Sequence, residues 1–133
     1  MLEIKPVQST TQHEQVCRDC AVEYDADNLC YAAYEGERLI GISEFVIKGK
    51  YGYIRTLKNA NGVDDLGALF IAARATLNFI DLHGVHEAFF EAEDSCPDER
   101  FIKWVGFSKD AEGRWYMDLN GFFEEPCKHE NKE

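Results

Sequence analysis

The sequence is short of positive charge and has no long apolar run. Fourteen Lys and Arg stand against twenty-five Asp and Glu, a formal net charge of −11. Such an acidic surface repels phosphate backbones and anionic lipid. That excludes nonspecific nucleic-acid or membrane-surface binding and favours cationic partners such as amines. No apolar stretch approaches the roughly 18 residues that span a bilayer, and Met1-Leu2-Glu3-Ile4 lacks the pattern of a signal peptide. No membrane association and a cytoplasmic location are therefore expected. A disulfide framework is missing too, because the five cysteines, Cys17, Cys20, Cys30, Cys96 and Cys127, are odd in number and fit no familiar spacing.

Cys17-Arg18-Asp19-Cys20 has the look of a metal half-site or a redox dithiol. Val16, Cys17, Cys20, Ala21 and Tyr24, however, recur at helical spacing as one apolar stripe. No second CxxC follows, and Cys127-Lys128-His129 is too distant to complete a zinc set on spacing alone. Buried core thiols, with no metal, are the expectation. His13 and His83, at helix ends, and His129, in the tail, are assigned to the surface.

What is present is a 133-residue chain, 45% apolar and 29% charged, enough for one packed domain. We expect that domain over residues 1–123, with a polar tail at 124–133. Leu2 to Pro6 reads as a short strand with Pro6 at an end or edge. Thr11-Gln12-His13-Glu14 reads as a capping box opening a helix that runs to about Tyr24. Cys30–Tyr34 and Arg38–Ile47 flank Glu35-Gly36-Glu37 as a hairpin, and Lys48-Gly49-Lys50 turns into a further strand, Tyr51–Leu57. Leu66, Phe70, Ala73, Leu77 and Ile80 lie on one face of a helix expected over Val63–His83. Val85–Glu93 is a strand, Pro97 opens a helix carrying Phe101, Trp104 and Val105, and Phe107–Lys109 and Arg114–Leu119 form a closing hairpin. The order β, α, β, β, β, α, β, α, β, β predicts an α+β fold with a mixed sheet of about seven strands flanked by helices.

That order, with Ala33-Tyr34-Glu35-Gly36-Glu37-Arg38-Leu39-Ile40-Gly41 and Phe101-Ile102-Lys103-Trp104-Val105-Gly106-Phe107, resembles the GNAT family of acyl-CoA-dependent N-acyltransferases. The resemblance covers nearly all of residues 2 to 120. It implies a cofactor, acetyl-CoA or another acyl-CoA, lying where the fourth and fifth strands splay apart. It also implies an acceptor that is a small-molecule or peptide amine, and it leaves room for a homodimer. Carried over residue by residue, it assigns Thr56 and Leu57 to the acyl group and Gly62, Val63, Leu66 and Gly67 to the pyrophosphate loop. Ser95 falls where the family often has Asn.

Two positions depart from the family pattern. Only Gly67 of Gly62-Val63-Asp64-Asp65-Leu66-Gly67 keeps the motif, and Asp65 replaces its middle glycine, which suits a helix that caps itself better than one that awaits an anion. Ile102 stands where many members carry a general-acid tyrosine and cannot donate a proton. For the base that an ammonium acceptor requires, Glu91 and Glu93 near the wedge and Glu44 in the third strand are the candidates. A catalytically degenerate module of the same fold, serving binding or structure, is the alternative.

Overall fold

The computed structural model describes residues 1–95 and 98–123. The tail expected at 124–133, and with it Pro97, Cys96, Cys127 and His129, lies outside the described residues. Seven strands, β1 (Leu2–Pro6), β2 (Leu29–Glu35), β3 (Arg38–Lys48), β4 (Tyr51–Asn59), β5 (Glu87–Phe90), β6 (Ser108–Lys109) and β7 (Trp115–Asp118), form one sheet in the order β1-β2-β3-β4-β5-β7-β6. Every ladder is antiparallel except β4 with β5, which is parallel. The crossover between those two is α2 (Leu66–Leu82), as parallel pairing requires. The α+β class, the seven strands and their order are thus as expected.

The sheet is covered on both faces. Against one lie α2 and α3 (Glu99–Val105), packed with Ile54, Leu57, Ala88 and Phe90 into the main apolar core. On the other, α1 (Thr10–Asp19) covers Cys30, Ala32 and Ile42 with Val16 and Cys17. Gly36 takes a φ of 63° at the β2–β3 turn, where a side chain would be strained. Gly106 ends α3 at a φ of 132°, and a Cβ there would meet the Met117 methyl at 2.8 Å.

Several boundaries differ from the sequence reading, each for a local reason. The cap of α1 is Ser9, whose hydroxyl accepts from Gln12 N at 3.1 Å, so Thr11 lies inside the helix. The helix stops at Asp19 rather than near Tyr24, because Ala21 turns to a φ of 57°. Consequently Ala21 is exposed and does not share the buried stripe of Val16, Cys17 and Cys20. His13, assigned to the surface, is buried beneath α1. Helix α2 starts at Leu66 because Asp65 caps it, and its buried face is centred on Leu69, Ala72, Ala73, Thr76, Leu77 and Ile80, leaving Leu66 and Phe70 at the margin. Trp104 is half exposed and stacks on Phe70 at 4.2 Å, while Ile102 takes the buried position. Finally, β5 ends at Phe90, so Glu91 and Glu93 follow the strand rather than belong to it.

Candidate active site

The site begins with one extra residue. Glu44 pairs with Thr56 and Phe45 with Ile54, so Arg55 has no partner across the β3–β4 ladder. Such a bulge bends the strand and strengthens its twist. At that point β4 leaves β5: their last paired residues are Ile54 and Phe90, with Glu91 N donating to Ile54 O at 2.8 Å. Beyond it β4 continues to Asn59 against β3 alone, while β5 has ended at Phe90 and no longer pairs with it.

Two clefts open beside this divergence. A cleft of about 320 Å³ is lined by Ala21, Val22, Arg55, Thr56, Lys58, Glu91, Ala92, Asp94 and Ser95. Another of about 380 Å³ is lined by Tyr53, Phe89, Phe90, Glu91, Glu93, Gly113, Arg114 and Trp115. Glu91 borders both, half exposed, with its Oε1 3.9 Å from Arg55 Nε. Glu93 Oε2 accepts from Trp115 Nε1 at 3.0 Å. Within the wedge, Leu57 N donates to Ser95 Oγ at 3.3 Å, and that hydroxyl in turn donates to Ala92 O at 3.1 Å.

The loop before α2 is arranged differently, for several of its donors bond within the chain. Asn61 N donates to Asp19 O at 2.8 Å and Val63 N to Ala60 O at 2.9 Å. Asp65 N donates to Asn59 Oδ1 at 3.1 Å, while Asp65 Oδ1 accepts from Ala68 N at 3.0 Å. Gly62 turns through a φ of 80° into open space. A Cβ on Gly67 would stand 3.5 Å from Asp65 Oδ1.

The two halves of the site therefore suit an acyl-CoA unequally. The wedge, with a strand N–H held by one serine hydroxyl, fits the amide-bearing arm of such a molecule. The loop, with a carboxylate at the helix start that takes the Ala68 N–H, does not fit a pyrophosphate as it stands.

Of the residues singled out in the sequence, Thr56, Leu57, Ser95 and Glu91 come together at the wedge, and Glu93 stands in the adjoining cleft. Gly62, Val63, Leu66 and Gly67 form the separate loop and first turn of α2. Glu44 pairs with Thr56 across the ladder but lines neither cleft: it is fully buried under α1, with Oε2 2.6 Å from His13 Nε2. Ile102 is a core residue that lines neither cleft. Sequence reasoning passed over Arg55, Lys58, Tyr53, Arg114 and Trp115. An arginine set between Ile54 and Thr56 in an apolar strand was the one local sign of the bulge.

A mixed sheet whose parallel central pair diverges, crossed by a helix opening beside the gap, is the GNAT N-acetyltransferase fold, and this chain has it. A Bacillus subtilis acetyltransferase in complex with CoA matches 90% of this chain and 99% of its own, at 14% identity and a TM-score of 0.68. An IAA acetyltransferase from Bacillus cereus matches 90% of this chain and all of its own, at 14% identity and a TM-score of 0.69. The ribosomal-protein-S18-alanine N-acetyltransferase of Escherichia coli matches 90% and 94%, at 9% identity and a TM-score of 0.65. No family model matches the sequence, and no curated protein matches it. Among the described residues no helix is long and apolar enough to cross a membrane.

Proposed function

We propose that the protein is an acyl-CoA-dependent N-acyltransferase acting on a small-molecule or peptide amine, with its reaction centre at Glu91. The observation that carries this reading is the position of that carboxylate, on the border between the wedge and the adjoining cleft. The CoA-bound neighbour of the same fold supports it. When bound, acyl-CoA supplies the acyl group as an activated thioester. On the protein's side, the Leu57 N–H with the Thr56 and Ser95 side chains would hold the arm, and Arg55 and Lys58 would place positive charge beside it. Gly62, Val63, Leu66 and Gly67 would take the pyrophosphate only if Asp65 released Ala68 N.

Glu91 is the acceptor for the amine's proton, directly or through one water, and the acidic surface draws ammonium substrates toward it. Trp115 holds Glu93 as a wall of the acceptor cleft. Free, reduced thiols at Cys17, Cys20 and Cys30 suit a cytoplasmic setting.

The capped loop favours a second reading, a module of this fold that binds a ligand without transferring an acyl group. Calorimetric titration with acetyl-CoA and free CoA, then thiol release with a panel of primary amines, separates the two. The first reading expects thiol release that falls roughly 10²- to 10⁴-fold in Glu91→Gln. Binding without release supports the second reading. Neither binding nor release removes the acyltransferase reading.

A further inference from the structure

Away from the wedge, α1 buries a cluster of metal-ligating side chains that acyl transfer does not use. His13 and Cys17 are four residues apart on α1 and so share one helix face. That face meets Glu44 of β3 and Cys30 of β2, which are direct partners across the β2–β3 ladder. One donor atom each from His13, Cys30 and Glu44 lies within 4.8 Å of the others, and all three residues are buried. Glu44 Oε2 is 2.6 Å from His13 Nε2 and accepts from Cys17 Sγ at 3.3 Å. The remaining oxygen, Oε1, is buried without a hydrogen-bond partner among the described residues. Tyr24 holds the His13 ring edge-on at 4.9 Å.

A carboxylate taken out of water needs compensation on both oxygens, and here one has none. The surroundings are Val16, Ala32, Ile42 and Ala60, so no further polar group of that cluster supplies it. The donors present are one imidazole nitrogen, thiol sulfurs and a carboxylate oxygen. That mixture suits a borderline-soft divalent cation of the zinc type and is a poor match for magnesium or calcium, which prefer oxygen.

We propose that His13, Cys17, Cys30 and Glu44 form a buried four-coordinate site for Zn²⁺ or a similar divalent cation, tying α1 to β2 and β3. Cys17, whose Sγ is 3.3 Å from Glu44 Oε2 but is not among the three donors already within 4.8 Å of one another, turns in as the fourth ligand, as closed structural sites require. On binding, Cys17 and Cys30 each release one proton to solvent, two metal–sulfur bonds form, and Glu44 Oε1 gains the partner it lacks. The site is structural, and it stands whether or not the wedge carries out acyl transfer.

The test is titration of the chelator-treated full chain with Co²⁺, followed by Zn²⁺. We expect uptake of one Co²⁺ per chain with thiolate-to-cobalt charge-transfer bands and the d–d bands of tetrahedral cobalt, displacement of both by Zn²⁺, and a saturable rise in Tm with Zn²⁺. Cys17→Ser and Cys30→Ser should each remove about half of the charge-transfer intensity. Each should also weaken binding by more than the roughly 10- to 100-fold that loss of an outer-shell partner costs. Cys20→Ser, a buried thiol outside the set, should retain the full spectrum. A folded chain that takes up no Co²⁺, a cobalt spectrum without thiolate bands, or a spectrum unchanged in Cys30→Ser overturns the proposal. The first two outcomes are read on the unaltered protein, so misfolding of a variant cannot mask them.

Discussion

Ser43 and Glu44 are consecutive residues of β3 and so face opposite sides of the sheet. Both are fully buried, and each meets a polar side chain from the helix that covers its side. On the α2 side the arrangement closes on itself: Ser43 Oγ lies 2.8 Å from Thr76 Oγ1, and Thr76 Oγ1 donates to Ala72 O at 3.0 Å. On the α1 side it stays open, because two donors converge on one Glu44 oxygen and the other has no partner among the described residues. A neutral hydroxyl pair is complete within the core. A buried carboxylate asks for something the chain around it does not provide, and that is why the second face, and not the first, points to a ligand.

The widest separation between the faces should appear in Glu44→Ala. It leaves His13 buried without its partner, and breaking a buried pair in this way costs about 3–5 kcal/mol, read by urea denaturation of metal-free protein. Ser43→Ala should cost only about 1 kcal/mol in the same experiment, since Thr76 keeps its bond to Ala72. Equal losses would erase the distinction between the faces. Asp65 is a third polar contact that closes locally, and Asp65→Ala should remove an N-cap worth about 0.5–2 kcal/mol. If the acyltransferase reading holds, Asp65→Gly should at the same time lower the Kd for CoA, because it removes a carboxylate from the helix start.

A pH-dependent effect belongs to Tyr116 of β7 and Glu87 of β5, neighbouring strands inside the sheet, whose hydroxyl and carboxylate meet at 3.0 Å. Burial, the hydrogen bond to Glu87, and the charges of Glu87, Asp118 and Tyr51 push the phenol from 10.0 up to about 12. The folded chain then keeps a proton that the unfolded chain gives up. Stability should therefore be unaffected by this group below about pH 10 and decline as pH rises from about 10 to about 12, a decline that Tyr116→Phe flattens. Chemical denaturation across that window reads the slope.

Element types and order were legible because period and turn chemistry act locally. The apolar run through Arg38–Ile47, Gly36 in its hairpin and the helical spacing of Leu66, Phe70, Ala73, Leu77 and Ile80 need no tertiary information. Asp65 as a self-cap was legible for the same reason. The end of α1 was not, because Ala21 adopts a conformation that only its surroundings impose. Nor was the burial of His13: nothing within Thr11-Gln12-His13-Glu14 says that Glu44, 31 residues on, will lie beneath the ring. Glu91 could be named as a candidate, but its place between two clefts depends on the bulge at Arg55, a property of pairing with β3. Sites assembled across strands are set by register, and a single strand's sequence does not carry the register of its neighbour.

The bulge also has a consequence of parity. Ile54 and Leu57 are three residues apart, yet both are fully buried in the α2-side core, which simple alternation forbids and the unpaired Arg55 permits. Removing one residue from this stretch would let β4 continue in step with β5. Leu57, then two positions from Ile54, would keep its place in the core. The gap between the strands thus rests on one extra residue in β4, a matter of chain length and register, independently of any molecule that enters it. A lineage of such chains could lose every reactive group and still inherit the opening intact.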